Sequence, residues 1–249
     1  MKFEAASSEA AFFCLFRTYR ILAYLFGKTN KLTQIPEIIK AHVSYANPYK
    51  ITRALGVILE QSGKTRLTAS SKWQKVKTIS EINYPKIEIN QKTESFLSSQ
   101  TAGIANDKAF LKSKFFGLKK LNESSSEELF QWAAHSYLAS LVWMPWIFIS
   151  EHVILKPIDD FTVTISLARF PNIVGEFSFT EEARISHFKA NRYKFENNNF
   201  QIQPWKVDYS KYNIKKSFKL PTQLKCFWGE NEEEYLYLDL EKVLGYTVK

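Results

Sequence analysis

The chain has 249 residues, of which 45% are hydrophobic and 15% aromatic, with only 8 glycines and 8 prolines. Disordered and fibrous classes are excluded by that composition, and the length is enough for one large domain or two small ones with a full core. The net charge of +9 is uneven: residues 61–122 carry 12 Lys/Arg against 4 Asp/Glu, whereas 123–249 carry 14 against 17.

In chain order, the first element is "AFFCLFRTYRILAYLF" (11–26). Arg17 and Arg20 lie inside the apolar run, so it is not built like a signal peptide. As a helix it would reach about 24 Å, short of a hydrocarbon core of about 30 Å. Arg17, Arg20 and Tyr24 share one stripe of the wheel. Two readings stay open: a helix at a membrane interface, with residues 11–28 in peripheral contact, or a helix packed on a domain. "IPEIIKAHVSYA" (35–46) and "NPYKITRALGVILEQ" (47–61) read as short helices with proline near the start, and Gly63 as a turn. Residues 1–62 are therefore expected to form a helical N-terminal segment.

From Leu67 onward the period changes. "RLTASSKWQKVKTISEI" and "PKIEINQKTESFL" alternate polar and apolar residues, as half-buried strands do. The basic segments "KWQKVK" and "FLKSKFFGLKK" read as a solvated strand face, with lysines guarding sheet edges. No nucleic-acid-binding module is legible, and no nucleic-acid partner is expected. "NESSSEE" (122–128) leads into a helix over 126–143, with Ser125 and Glu128 spaced as a capping box. On that helix Phe130, Ala134, Tyr137 and Leu141 share one face, while Trp132, Ala139, Val142 and Trp143 crowd the other. A helix apolar on both faces is buried on both sides or lines a cavity.

Pro145 should end the helix near Trp143 or Met144, with "WIFIS" (146–150) entering a strand. Seven strand candidates follow between His152 and Tyr246, punctuated at Asp159-Asp160, Pro171-Asn172, Glu181-Glu182 and Asn197-Asn198-Asn199. Short links imply antiparallel pairing. The predicted class is α+β: a curved antiparallel sheet, a half-barrel or open barrel, packed with helices, over residues 63–249.

Chemistry is hard to find. There is no nucleophile elbow, P-loop, dinucleotide glycine pattern or zincin motif. The histidines are scattered (His42, His135, His152, His187), so neither a metal nor a cofactor is expected. Cys14 and Cys226 form no paired motif, which suits a reducing compartment. The expected location is cytoplasmic, peripheral to the inner membrane if residues 11–28 bind it.

Several ordered motifs resemble an uncharacterised bacterial protein family of unknown function: the W-x-P helix end (Trp143, Pro145), Arg192-Tyr193, Pro204-Trp205 and a turn at Leu220-Pro221-Thr222, with Trp73 fitting more loosely. Ser140 stands where that pattern carries Glu, and Ser217 where it carries Gly. The pattern is also similar to lipoprotein-carrier half-barrels, which implies a sheet curved around an apolar space plugged by a helix. Two functions follow as expectations. One is a binding module for an apolar or amphipathic, lipid-like ligand, with Tyr137, Trp143, Trp146, Arg192 and Trp205 as cavity candidates. The other is an enzyme acting on a small apolar substrate through His135, Ser140 or Arg192.

Overall fold

The computed structural model describes residues 35–51, 54–96, 98–115, 118–124, 126–196 and 199–248. The expected interfacial helix at 11–26 lies outside them. One compact unit runs from Pro36 to Lys249. It opens with α1 (Glu37–Ala46), preceded by Pro36 as the sequence implied. Its buried side chains Ile39 and His42 face the aromatic core, where the His42 ring meets those of Phe148 and Phe179 edge-on, each at 5.5 Å.

Thirteen strands follow among the described residues, in two antiparallel meanders. The first comprises β1 (Ala54–Thr65), β2 (Gln74–Asn83), β3 (Glu88–Ser95), β4 (Ser98–Ala105), β5 (Lys108–Phe115) and β6 (Leu118–Ser124). The second comprises β7 (Val153–Pro157), β8 (Thr162–Leu167), β9 (Phe170–Phe179), β10 (Ile185–Glu196), β11 (Asn199–Lys215), β12 (Phe218–Trp228) and β13 (Glu233–Val248). Pairing of β1 with β13 joins them into one open sheet, in the order β6-β5-β4-β3-β2-β1-β13-β12-β11-β10-β9-β8-β7. Helix α2 (Glu127–Ser140) connects the meanders and touches strands of both, β3 to β5 on one arm and β8 to β10 on the other. A helix can bridge the two arms only because the sheet curves around it. This is the predicted α+β half-barrel.

Several local expectations are corrected. Residues 47–61 do not form a helix: Ala54 to Thr65 are β1, in the middle of the sheet. The apolar run "ALGVIL" is nearly continuous because β1 is covered on both faces there, and such runs carry no period of two. Gly63 is not a turn but a site of close approach within β1. A Cβ there would sit 1.9 Å from the carbonyl oxygen of Tyr237. Sheet structure thus begins ahead of residue 63.

Strand β4 had no clear sequence signal, and the basic segment over 110–120 divides between β5 and β6. Pro171-Asn172 lies inside β9, and the turn falls at Ala168-Arg169. The helix cap is Ser126, whose hydroxyl accepts from the Leu129 amide, one residue later than the expected box. Residues 146–150 do not enter a strand. Leu141–Trp143 and Pro145–Ile149 form two single 3₁₀ turns, and β7 begins only at Val153. Leu220-Pro221-Thr222 is strand, not turn. The hairpin turns at Lys216-Ser217, where both residues have positive φ (49° and 74°) between the paired Lys215 and Phe218. This is a type I′ geometry, in which glycine is favoured. It accounts for the glycine expected at the position of Ser217.

The basic segments lie where a solvated face would put them. Lys75 and Lys77 on β2, and Lys112 and Lys114 on β5, are exposed, while Val76, Thr78, Ser80 and Ile82 of β2 point inward. The sheet edges are β6, with Lys119 and Lys120, and β7, with Lys156 and Pro157.

Candidate functional site

Between α2 and the concave face of the sheet lies a cavity of about 620 Å³. Its origin is the size of the residues around it. On the helix, Trp132, Ser136, Ala139 and Trp143 fall at spacings of four, three and four, one stripe of a 3.6-residue period. The opposite stripe, including Leu129, Ala133, Tyr137 and Leu138, is packed in the core. Across from the helix, the lining residues of β2 to β5 include Thr78, Gln91, Thr93, Ser95, Gln100 and Ser113, with Val76 and Ala102 as apolar members. Short side chains facing Ser136 and Ala139 cannot fill the space.

The cavity has two chemically different walls. The β2–β5 arm supplies hydroxyls and amides. Thr78 and Thr93 bond each other at 3.1 Å, and Gln91 donates to Ser80 at 3.3 Å. On the other side Trp205, Val207 and Tyr209 of β11, Leu224 of β12 and Leu238 of β13 give an aromatic and aliphatic wall. The mouth lies beside the β1–β2 loop, where Leu67 is 86% exposed and Arg66 and Lys72 line the opening.

Arg192 lies between these walls and is 3% exposed. Its Nε donates to the carbonyl of Trp132 at 3.0 Å, and Nη2 donates to Ser136 Oγ. Its guanidinium carbon sits 4.0 Å from the centroid of a Trp205 ring, 4.5 Å from Trp132 and 5.6 Å from Trp228. Stacked indoles hold the planar group by cation–π attraction. Burial lowers its pKa to about 10, partly offset by Tyr235 and Cys226 beside it. It remains a cation at neutral pH.

The sequence motifs meet in pairs. Trp143 of the helix end donates its indole N–H to the carbonyl of Pro221 at 3.3 Å. Proline is tolerated there because pairing of β12 with β13 starts only at Gln223, so no ladder donor is lost on that side. Arg192 stacks on Trp205, and the Trp205 indole donates to the Tyr235 hydroxyl at 3.1 Å. Tyr209 donates to the carbonyl of Ala139 at 2.7 Å and places its ring edge-on to Trp143.

Of the five cavity candidates, Trp143, Arg192 and Trp205 line this cavity. Tyr137 and Trp146 do not. Tyr137 points to the other side of α2, donates to the carbonyl of Asn83 at 3.2 Å, and lines a separate space of about 70 Å³ with Tyr84 and His152. Trp146 packs against Phe218 and Tyr246, at 5.0 and 5.5 Å between ring centroids. Proline 145 starts a new 3₁₀ turn after Met144, so two tryptophans three apart face different spaces.

Of the groups named for an enzyme, Arg192 and Ser140 line the cavity and His135 does not. His135 bonds the carbonyl of Val174 at 3.2 Å through Nε2, and burial, with the nearby Arg192 charge, lowers its pKa to about 4. Ser140 donates to the carbonyl of Ser136 at 2.7 Å. Cys226 lines the cavity, but burial pushes its thiol up to about 12. Among the described residues no cluster of His, Cys, Asp or Glu has the makings of a metal site.

The polar wall was missed in the sequence. Its signal was present in β2, where threonine and serine occupy inward positions between Val76 and Ile82. Polar residues in the buried phase of a strand mark a wet or ligand-filled face.

A family model described as "Family of unknown function (DUF6544)" matches residues 26–240. The chain belongs to this family. The motif-based expectation of an uncharacterised family of unknown function therefore holds. No curated protein matches the sequence. Similar solved structures include a DUF1329 family protein from Desulfovibrio piger, at 9% identity and TM-score 0.47, covering 84% of this chain and 95% of that one. A LolA superfamily protein from Nitrosomonas europaea is similar at 9% identity and TM-score 0.44, with 84% and 93% covered.

Proposed function

We propose that this DUF6544 chain is a non-enzymatic binding module that holds an apolar or amphipathic, lipid-like ligand between helix α2 and the concave sheet. The observation that carries this reading is the cavity of about 620 Å³ with one aromatic–aliphatic wall. Small-molecule sites span about 300–1,000 Å³, a range that includes this space, and its two walls offer one apolar and one polar surface to a ligand. Trp143, Arg192 and Trp205 are the proposed ligand contacts; Tyr137 and Trp146 support the helix end from outside the cavity. The test is native mass spectrometry of the purified chain, with tryptophan fluorescence followed during titration with a dodecyl-chain ligand. Bound lipid, lost on Trp143→Ala in a protein that still folds, supports the reading. An empty protein with no fluorescence response to any apolar ligand refutes it.

We further propose a cytoplasmic location, with residues 11–28 in contact with the inner membrane. Among the described residues no helix is long and apolar enough to cross a membrane. Deletion of residues 1–30 is expected to release the protein from a membrane fraction. Unchanged partitioning would remove this part of the proposal.

A further inference from the structure

We propose that the ligand is an anionic amphiphile, a single alkyl or acyl chain ending in a carboxylate or phosphate whose charge rests against Arg192. This rests on the binding-module reading above and adds the head-group chemistry.

The first argument is charge. Arg192 is 97% buried by complement of its 3% exposure, and no carboxylate among the described residues neighbours it. Among the described residues, those lining the cavity include two further cations, Arg66 and Lys72 at the mouth, and no Asp or Glu. A buried charge without a counter-charge is unfavourable, and the fold retains this one in a space open to a ligand. Exposed carboxylates are plentiful elsewhere on the second meander, such as Glu181, Glu182, Glu230 and Glu232. Their absence from the lining leaves the field inside the cavity positive.

The second argument is geometry. Two of the Arg192 nitrogens are committed to α2, Nε to Trp132 and Nη2 to Ser136. The other neighbours of the guanidinium are uncharged, the Tyr235 hydroxyl within hydrogen-bonding reach and the Cys226 thiol. The stacked indoles of Trp205 and Trp132 fix the guanidinium plane, so its remaining donors project in a set direction, the arrangement that suits an oxyacid.

The third argument is the polar wall. Gln61 is 2% exposed, lines the cavity and makes no side-chain hydrogen bond with another described residue. A buried amide without a protein partner is satisfied by water or by a ligand oxygen. Thr78, Thr93 and Gln91 sit on the same arm. Opposite them Trp143, Tyr209, Leu224 and Leu238 accommodate a hydrocarbon chain. A volume of about 620 Å³ favours one chain over a diacyl lipid.

The experiment is calorimetric titration of the delipidated full chain with laurate, dodecyl phosphate and dodecanol, with acetate and inorganic phosphate as head groups without a chain. At least one anionic dodecyl ligand is expected to bind about ten-fold or more tighter than dodecanol, the value of one charge-assisted hydrogen bond. The better of the two anions identifies the head group, and acetate and phosphate alone are expected not to saturate. Arg192→Gln should bring anion and alcohol to similar affinity while dodecanol binding persists. If that variant does not fold, the wild-type ratio decides, together with Lys72→Gln, an exposed position at the mouth whose loss should weaken only the anions and flatten their salt dependence. Dodecanol binding as tightly as both anions overturns the anion assignment and leaves the binding module standing. Failure of every dodecyl ligand to bind overturns both. Saturation by phosphate or acetate alone overturns the amphiphile in favour of a small anion.

Discussion

Ala139→Leu tests whether the cavity is real space. Ala139 is 5% exposed, lies on the cavity stripe of α2 and faces short side chains across the gap. The substitution adds three carbons. At about 0.8 kcal/mol per buried methylene, the gain reaches about 2.4 kcal/mol. Ordering the leucine side chain opposes this by about 0.5–1 kcal/mol, and helix propensity changes little. The net stabilisation is about 1.5 kcal/mol, a rise of roughly 3–6 °C in Tm for a chain of this length. The assay is urea unfolding followed by circular dichroism, comparing midpoints at equal slope. In a packed interior the same insertion would destabilise by about 1–3 kcal/mol, so the sign decides. A lower midpoint would refute the cavity. The variant should also lose affinity for dodecyl ligands, because the leucine occupies their space.

Acid should destabilise the protein before its carboxylates titrate. His42 and His135 are buried, and burial lowers both to about 4, so the native state holds them neutral while the unfolded chain takes up protons below about 6.5. Their stabilising contribution is complete above that pH and is lost as pH falls toward 4, about 3–4 kcal/mol for the pair between pH 7 and 5. Urea titrations at both pH values check this, and the loss should halve in His42→Gln. Ser217→Gly should stabilise by about 0.5–1 kcal/mol, because serine at φ 74° is strained where glycine is not. Thermal unfolding measures it; a lower Tm would contradict the type I′ assignment. Ser126→Ala should destabilise by about 1 kcal/mol through loss of the cap to Leu129, whereas Ser125→Ala should be neutral. Matched urea midpoints separate the two serines.

The second meander was legible because its strands are half-buried. In β9, β10 and β12 alternation survives, and acidic, asparagine-rich and glycine-containing turns separate them. β1 was misread because its apolar run is buried on both faces, and a short continuous run does not distinguish helix from strand. β4 was overlooked, and β5 was read only from its lysines, because Ser98, Gln100 and Ser113 occupy inward positions normally held by apolar side chains. What hid those strands is what makes the polar wall.

By itself the sequence determined the antiparallel α+β class, the helix apolar on both faces and its stop at a proline corner, since these follow from period and local backbone restriction. It also brought Trp143, Arg192 and Trp205 forward as individual residues. Their meeting was decided only by tertiary structure. Pairing of β1 with β13, residues nearly two hundred positions apart, sets the curvature that brings a hydroxyl-lined arm opposite an aromatic one. No local pattern encodes that register. Nor does one reveal that the charge of Arg192 goes unanswered by any carboxylate among the described residues lining the cavity, because that depends on which strands the curved sheet places around it.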